Sequence, residues 1–170
     1  MIAVRKESDE VLYPAEEVVL IDGADLSELK RLALINPRKR IRLCTHCSPD
    51  DALHEMFVVH TNETYVRPHK HVGKAESFSV LEGEADLVLF EDDGTVRQII
   101  RMGPPGSGQK FYHRLAAPVF HSLLIRSDIL FFHEITQGPF LRSQTVFADW
   151  APENMSACDW AARLYRQLTH

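Results

Sequence analysis

From Arg40 onward the chain is a succession of short apolar runs, "HEMFVVH", "ESFSVLEG", "ADLVLF", "TVRQIIRM", "KFYHRLA", "VFHSLLIR" and "DILFFHEI", separated by turn residues such as "TNE", "EDDG", "GPPGSG" and "RSD". Runs of this length, rich in β-branched and aromatic residues, read as strands; about seven or eight of them at intervals near 10 residues predict an antiparallel sandwich or barrel. Helical patterns lie on either side. In "DGADLSELKRLALINP", Asp25 and Glu28 have the spacing of a capping box, and Leu26, Leu29, Leu32 and Ala33 recur at helical spacing before Pro37. In "MSACDWAARLYRQLTH", Ser156 and Asp159 form a second capping pair, and Trp160, Leu164 and Leu168 fall on one stripe. The expected architecture is mainly β: one domain spanning residues 1–170, with a barrel over about 40–140 and helices over about 25–36 and 156–168.

A length of 170 residues, 45% of them hydrophobic and 25% charged, suffices for one domain with its own core. The formal charge of -5 provides no electrostatic footprint for nucleic acid. One local basic run, "NPRKRIRLCTH" from Arg38 to Arg42, is either a solvated surface or an anion-binding rim. No stretch approaches the roughly 20 apolar residues that cross a bilayer, and "MIAVRKESDEVLYPAEE" lacks the apolar core of a secretory signal. No membrane partner is expected, and the expected compartment is the cytoplasm. An odd number of cysteines, three, agrees with reduced thiols there.

The stretch that carries chemistry is "YVRPHKHVGKAESFSVLEG". Strand side chains alternate faces, so His69 and His71 point the same way and can reach one ion together, while a turn over Gly73–Ala75 folds Glu76 back beside them. A further imidazole, His121, opens the strand-like run in "APVFHSLLI". Imidazole and carboxylate suit a divalent first-row ion, and the lack of thiolate argues against a closed structural zinc site. Such a set holds one divalent metal ion (Zn, Fe, Mn or Ni) and leaves positions for water or substrate.

The spacing H-x-H-x4-E-x6-G, met by His69, His71, Glu76 and Gly83, resembles the first signature of the cupins, and "PVFH" resembles the second, with His121 as its histidine. The second stretch lacks the usual glycine after the proline and has Ile125 where an asparagine is common. The resemblance implies a double-stranded β-helix, a jelly-roll barrel, with the metal inside. Beyond the signatures, "RIRLCTH", "LHEMFVV", "YVRPHKH", "ESFSVLEG", "FFHEITQGPF" and "FADWAPE" together resemble the WbuC family of cupin-fold metalloproteins, over about residues 20 to 155. Members of that family are often encoded among genes for surface-polysaccharide synthesis, and the family has no settled reaction.

Around this centre several residues are candidates for further roles. "CTHC" has neither a second knuckle for zinc nor the α/β context of a redox pair. On a strand through "RIRLCTH", Arg40, Arg42, Cys44 and His46 share a face that either lines the barrel mouth or meets water. Strand parity places Tyr65 and Arg67 with His69 and His71. Arg42, Cys44 and Arg67 are therefore candidate substrate contacts, and His46, Tyr65 and His113 are candidate acid/base groups. His54, His60, His113 and His133 lie in strands without a partner at ligand spacing and read as structural, and His170 is terminal. These features point to a metal-dependent enzyme acting on a small polar substrate such as a sugar or a sugar nucleotide or phosphate, through isomerase- or epimerase-like chemistry. The alternatives are a non-catalytic metal-anchored binding or sensing module and an iron-dependent dioxygenase. A homodimer formed by edge-strand pairing is also expected.

Overall fold

A computed structural model describes residues 2–168; His170 lies outside the described residues. In chain order the elements are β1 (Val4–Lys6), β2 (Val11–Pro14), α1 (Gly23–Ile35), β3 (Arg40–Cys44), β4 (Leu53–Thr61), β5 (His69–His71) and β6 (Glu76–Glu82). They continue with β7 (Ala85–Phe90), β8 (Val96–Met102), β9 (Tyr112–Leu115), β10 (Phe120–Ile125), β11 (Ile129–Gln137), β12 (Thr145–Phe147) and α2 (Ala157–Leu168).

Two sheets face one another. One has the order β1-β2-β3-β4-β11-β6-β9, the other β12-β5-β10-β7-β8. Between β4 and β11 every connection crosses from one sheet to the other except the β7–β8 hairpin. That winding is a jelly roll, a double-stranded β-helix with a helix at either end.

Burial explains why so many of these strands read as continuous apolar runs. In β10, His121, Leu123 and Ile125 face the barrel interior, while Phe120 and Leu124 face outward, where Trp160 and Leu164 of α2 cover them. In β11, Leu130 and Phe132 point inward, and Phe131 points out into a cluster with Leu29 and Ala33 of α1. Each helix therefore seals the outer face of one sheet, leaving both faces of the central strands apolar.

Three sequence expectations need correction. First, α1 begins before Asp25, because Asp22 is its N-cap: the Asp22 carboxylate accepts from the amides of Ala24 (2.8 Å) and Asp25 (3.1 Å), and Asp25 returns a bond to the Asp22 amide (3.0 Å). Second, β1 and β2 precede that helix. β1 is exposed along its length and has no alternation to read, and β2 is recruited by parallel pairing of Val11 and Leu12 with Arg42 and Leu43. Third, the sheets run past residue 140, since β12 pairs with β5 through Thr145↔His71 and Phe147↔His69. At Gly83, between β6 and β7, φ is +82°, and a Cβ there would run into the Ile129 carbonyl oxygen.

Candidate metal centre

The chain reaches His69 through an irregular segment ending at Pro68, and β5 is only the three residues His69–His71. Its central partner β10 places His121 directly opposite His69. Glu76 opens β6 in the other sheet, so the four side chains come from both walls of the barrel. One donor atom from each of His69, His71, Glu76 and His121 lies within 4.8 Å of the others. Ligands about 2.1 Å from a common ion sit roughly 3 to 4.2 Å apart, so small side-chain shifts close the set on one cation.

The ring orientations fit that use. Nδ1 of His69 lies 2.9 Å from the Arg67 carbonyl oxygen, Nδ1 of His121 lies 3.0 Å from that of Val119, and Nδ1 of His71 lies 3.2 Å from Thr145 Oγ1. With each Nδ1 held by an oxygen, each Nε2 is turned to the shared centre, the arrangement that fixes a metal-binding tautomer. His71 Nε2 is 2.8 Å from Glu76 Oε2, and His121 Nε2 is 3.4 Å from Glu76 Oε1. His121 Nε2 is buried and makes no well-directed hydrogen bond. Such an orphaned nitrogen suits a ligand atom.

Electrostatics agree. Burial pulls the Glu76 carboxyl toward its neutral form, but the His121 and His71 rings close beside it outweigh this and hold it well below the usual carboxylate range. Burial, with His121 nearby, pushes His69 down to about 3, so its ring is neutral and ready to ligate. No thiol belongs to the set. Cys44, Cys47 and Cys158 are free, and burial pushes the Cys44 thiol up.

The centre opens into a cavity of about 970 Å³ between the sheets. Arg42, Cys44, His46, Tyr65 and Arg67 all line it, but they are differently disposed. His46 is buried, its Nδ1 is 3.1 Å from the Glu55 carbonyl and 3.2 Å from the Glu55 amide, and its ring stacks on His54 with centroids 4.1 Å apart. The Glu55 backbone leaves His46 Nε2 available. Cys44 is buried beside Tyr13 and belongs to the interior apolar cluster. Arg67 donates from Nη2 to the Ala148 carbonyl (3.2 Å) and lies over the Phe147 ring at 5.1 Å.

Parity fails at Tyr65. Residues 64–68 are not strand. Val66 packs into the interior cluster, whereas the Tyr65 ring meets Trp160 of α2 and its hydroxyl donates to the Pro152 carbonyl at 2.9 Å. A phenol engaged this way is part of the wall rather than an acid/base group of the centre. His113 is nearer than spacing suggested: β9 pairs His113 with Phe78, and its Nε2 comes within 4.0 Å of Glu76 Oε1.

Two groups in the cavity carry no sequence signature. Glu134 pairs with Phe78 on one side and Met56 on the other, while Thr136 pairs with Glu76, so Glu134 is the diagonal neighbour of Glu76 on the inner face. Burial and then the Glu76 charge push its carboxyl up to about 8. Lys74, in the turn before β6, lines the same cavity, and burial pushes its amine down. Only parity along β11 could have pointed to Glu134, and apolar residues on both faces of that strand conceal which face is inward.

Comparison with known proteins adds the following. Residues 21–102, just under half of the chain, match the family described as domain of unknown function DUF6016. No curated protein matches the sequence. Among solved structures, the chain is similar to a Bacillus subtilis oxalate decarboxylase mutant at 16% identity, over 57% of this chain and 24% of that one, with a TM-score of 0.44. It is similar to a Lactobacillus farciminis oxalate decarboxylase formate complex at 17% identity, over 69% and 33%, with a TM-score of 0.46. A Shewanella oneidensis protein is similar at 8% identity, over 61% and 66%, with a TM-score of 0.48. The chain thus spans at most 66% of the length of these proteins.

Proposed function

We propose that the chain is a cupin metalloprotein of WbuC type, a divalent-metal-dependent enzyme acting on a small polar molecule such as a sugar, sugar phosphate or nucleotide sugar. The observation that carries this reading is the convergence of His69, His71, Glu76 and His121 at one point of a cavity of about 970 Å³. That volume is at the upper end of the range for small-molecule sites. On an octahedral divalent ion, four protein ligands leave two positions for water or substrate.

A bound ion would polarise a substrate carbonyl or acidify a bound water. The chain's own groups do the rest. His69, His71 and His121 hold their Nε2 atoms in place through their Nδ1 bonds. His46, fixed by the Glu55 backbone, offers Nε2 for proton transfer, and Glu134, the diagonal neighbour of Glu76 on the inner face, offers a carboxyl that burial pushes up. Isomerisation or epimerisation needs one such base beside the carbon that loses its proton.

Elemental analysis of protein purified without added metal, followed by incubation with a panel of sugar phosphates and nucleotide sugars monitored by NMR, tests the reading. We expect close to one divalent ion per chain, lost in His69→Ala and His121→Ala, and turnover of a panel member by the loaded protein. Ligand-induced stabilisation without product would assign a binding module instead. Bound iron with oxygen uptake would assign an oxygenase.

A further inference from the structure

His60 has no partner at ligand spacing in the sequence, but the fold places it in the wall of the cavity. Along β4, Met56 and Val58 pack into the interior cluster, and alternation puts His54 and His60 on the same inner face. Cross-strand register locates them. Glu76 pairs with Thr136 and Thr136 with His54, so His54 stands level with the carboxylate of the metal centre. His60 is six residues farther along the same strand, about 20 Å away at the usual rise per residue. Both ends line one cavity, which is therefore elongated, with the candidate metal ligands at one end and His60 at the other.

The charged neighbours at the His60 end are matched: Arg40, directly opposite on β3, donates to Glu10 at 2.6 Å, and Lys39 lies 3.5 Å from Glu63. The imidazole is not. His60 is only 8% exposed, and among the described residues neither ring nitrogen has a hydrogen-bond partner. Phe132 meets the ring edge-on, with centroids 5.4 Å apart, and holds its plane. Nδ1 is sealed off, so a proton there would be a buried donor with no acceptor. The proton belongs on Nε2, the nitrogen left to face the cavity. Burial, and then Arg40 and Arg42, push the ring down to about 3, so it is neutral across the physiological range. A rigid, neutral N–H donor in a cavity wall, with no acceptor from the protein, is a group that a bound molecule satisfies.

We propose that the molecule bound here is extended, longer than a single pyranose, with its reacting end at the metal centre and an uncharged oxygen at its far end, a hydroxyl or a carbonyl, accepting from His60 Nε2. This rests on the metal-dependent reading above and narrows it to substrates of nucleotide-sugar length. A neutral donor suits a neutral acceptor, since the cation opposite it already has its carboxylate. A monosaccharide phosphate seated at the metal does not reach His60. A molecule that spans the cavity without an acceptor there leaves the N–H buried and unpaired, and is rejected for that reason.

Zinc(II)-loaded protein, titrated with uridine diphosphate glucose and with glucosyl phosphate, tests the proposal by calorimetry and by NMR of the histidine ring nitrogens. The His60 signals are assigned by their loss in His60→Gln. The expected result is binding of uridine diphosphate glucose with a shift of the His60 ring signals, which glucosyl phosphate leaves in place. His60→Phe should weaken uridine diphosphate glucose by about tenfold or more, and His60→Gln, which keeps an N–H donor, should retain most of the affinity. Unfolding midpoints and zinc affinity near those of the parent protein keep a misfolded variant from imitating this result, and the ring signals of the parent need no variant fold. No binding of uridine diphosphate glucose by protein that does bind zinc overturns the proposal and spares the metal centre. Binding that leaves the His60 signals unmoved, or that His60→Phe weakens equally for both ligands, also overturns it. If the parent protein takes no zinc, the metal-dependent reading fails, and the same titrations on metal-free protein still decide the His60 contact.

Discussion

Single side chains determine how this protein responds to pH. Glu134 has a folded pKa of about 8, against 4.5 for the free side chain, so between those values the folded state holds a proton that the unfolded chain has released. Stability therefore falls as pH rises from about 4.5 to 8, by roughly 1.4 kcal/mol per pH unit at the steepest. Glu134→Gln should flatten that decline in metal-free protein, measured as the unfolding midpoint against pH. His60 acts at the other end. Burial holds its pKa at about 3, against an ordinary 6.5, so below 6.5 the unfolded chain gains a proton that the folded state refuses. Stability is lost as pH drops from 6.5 toward 3, and His60→Gln should soften this acid limb in the same measurement. His69, His71 and Glu76 could be read from the sequence because a two-residue offset in a strand and a short turn are local geometry, and His121 through the likeness of its stretch to the second cupin signature. Glu134 and Lys74 could not, since nothing near them in sequence states that the opposite wall of a barrel is a few ångströms away.

At the scale of elements, the turns and caps matter most. Gly83 combines positive φ with a Cβ position already filled by the Ile129 carbonyl. Gly83→Ala should destabilise the protein by about 1–3 kcal/mol through strain and displacement of the neighbouring strand, readable by urea denaturation. Asp22→Ala removes the acceptor for two helix amides and should cost about 1 kcal/mol in the same assay. Strands β4 and β6 to β11 were visible as apolar runs. β1, β2 and β12 were not, because their pairing partners alone make them strands: β12 is three residues long and is held by His69–His71. Tyr65 illustrates the limit of parity. The alternation that joins His69 to His71 does not extend through residues 64–68, where the backbone leaves the sheet and Val66 and Tyr65 enter different clusters.

For the whole molecule, the candidate metal centre would also act as a clasp. Glu76 belongs to one sheet, while His69, His71 and His121 belong to the other, so an ion bound to all four joins the two walls of the barrel. Metal should stabilise the folded protein with a concentration dependence set by mass action, by about 4 kcal/mol at 1,000 times Kd, and a chelator should reverse it. His121→Ala should abolish most of that metal-dependent increment, as measured by calorimetry with and without the ion. Among the described residues no helix is long and apolar enough to cross a membrane. The sequence by itself determined the mainly β architecture, the flanking helices and the local ligand set, because hydrophobic period, turn chemistry and i, i+2 geometry act over a few residues. Only the tertiary structure decided that β10 brings His121 opposite His69, that Tyr65 turns to α2, and that Glu134, Lys74 and Arg42 surround the same cavity. Those placements follow from how two sheets wind around one another, a long-range closure whose strand partners lie tens of residues apart and leave no periodic trace in the chain.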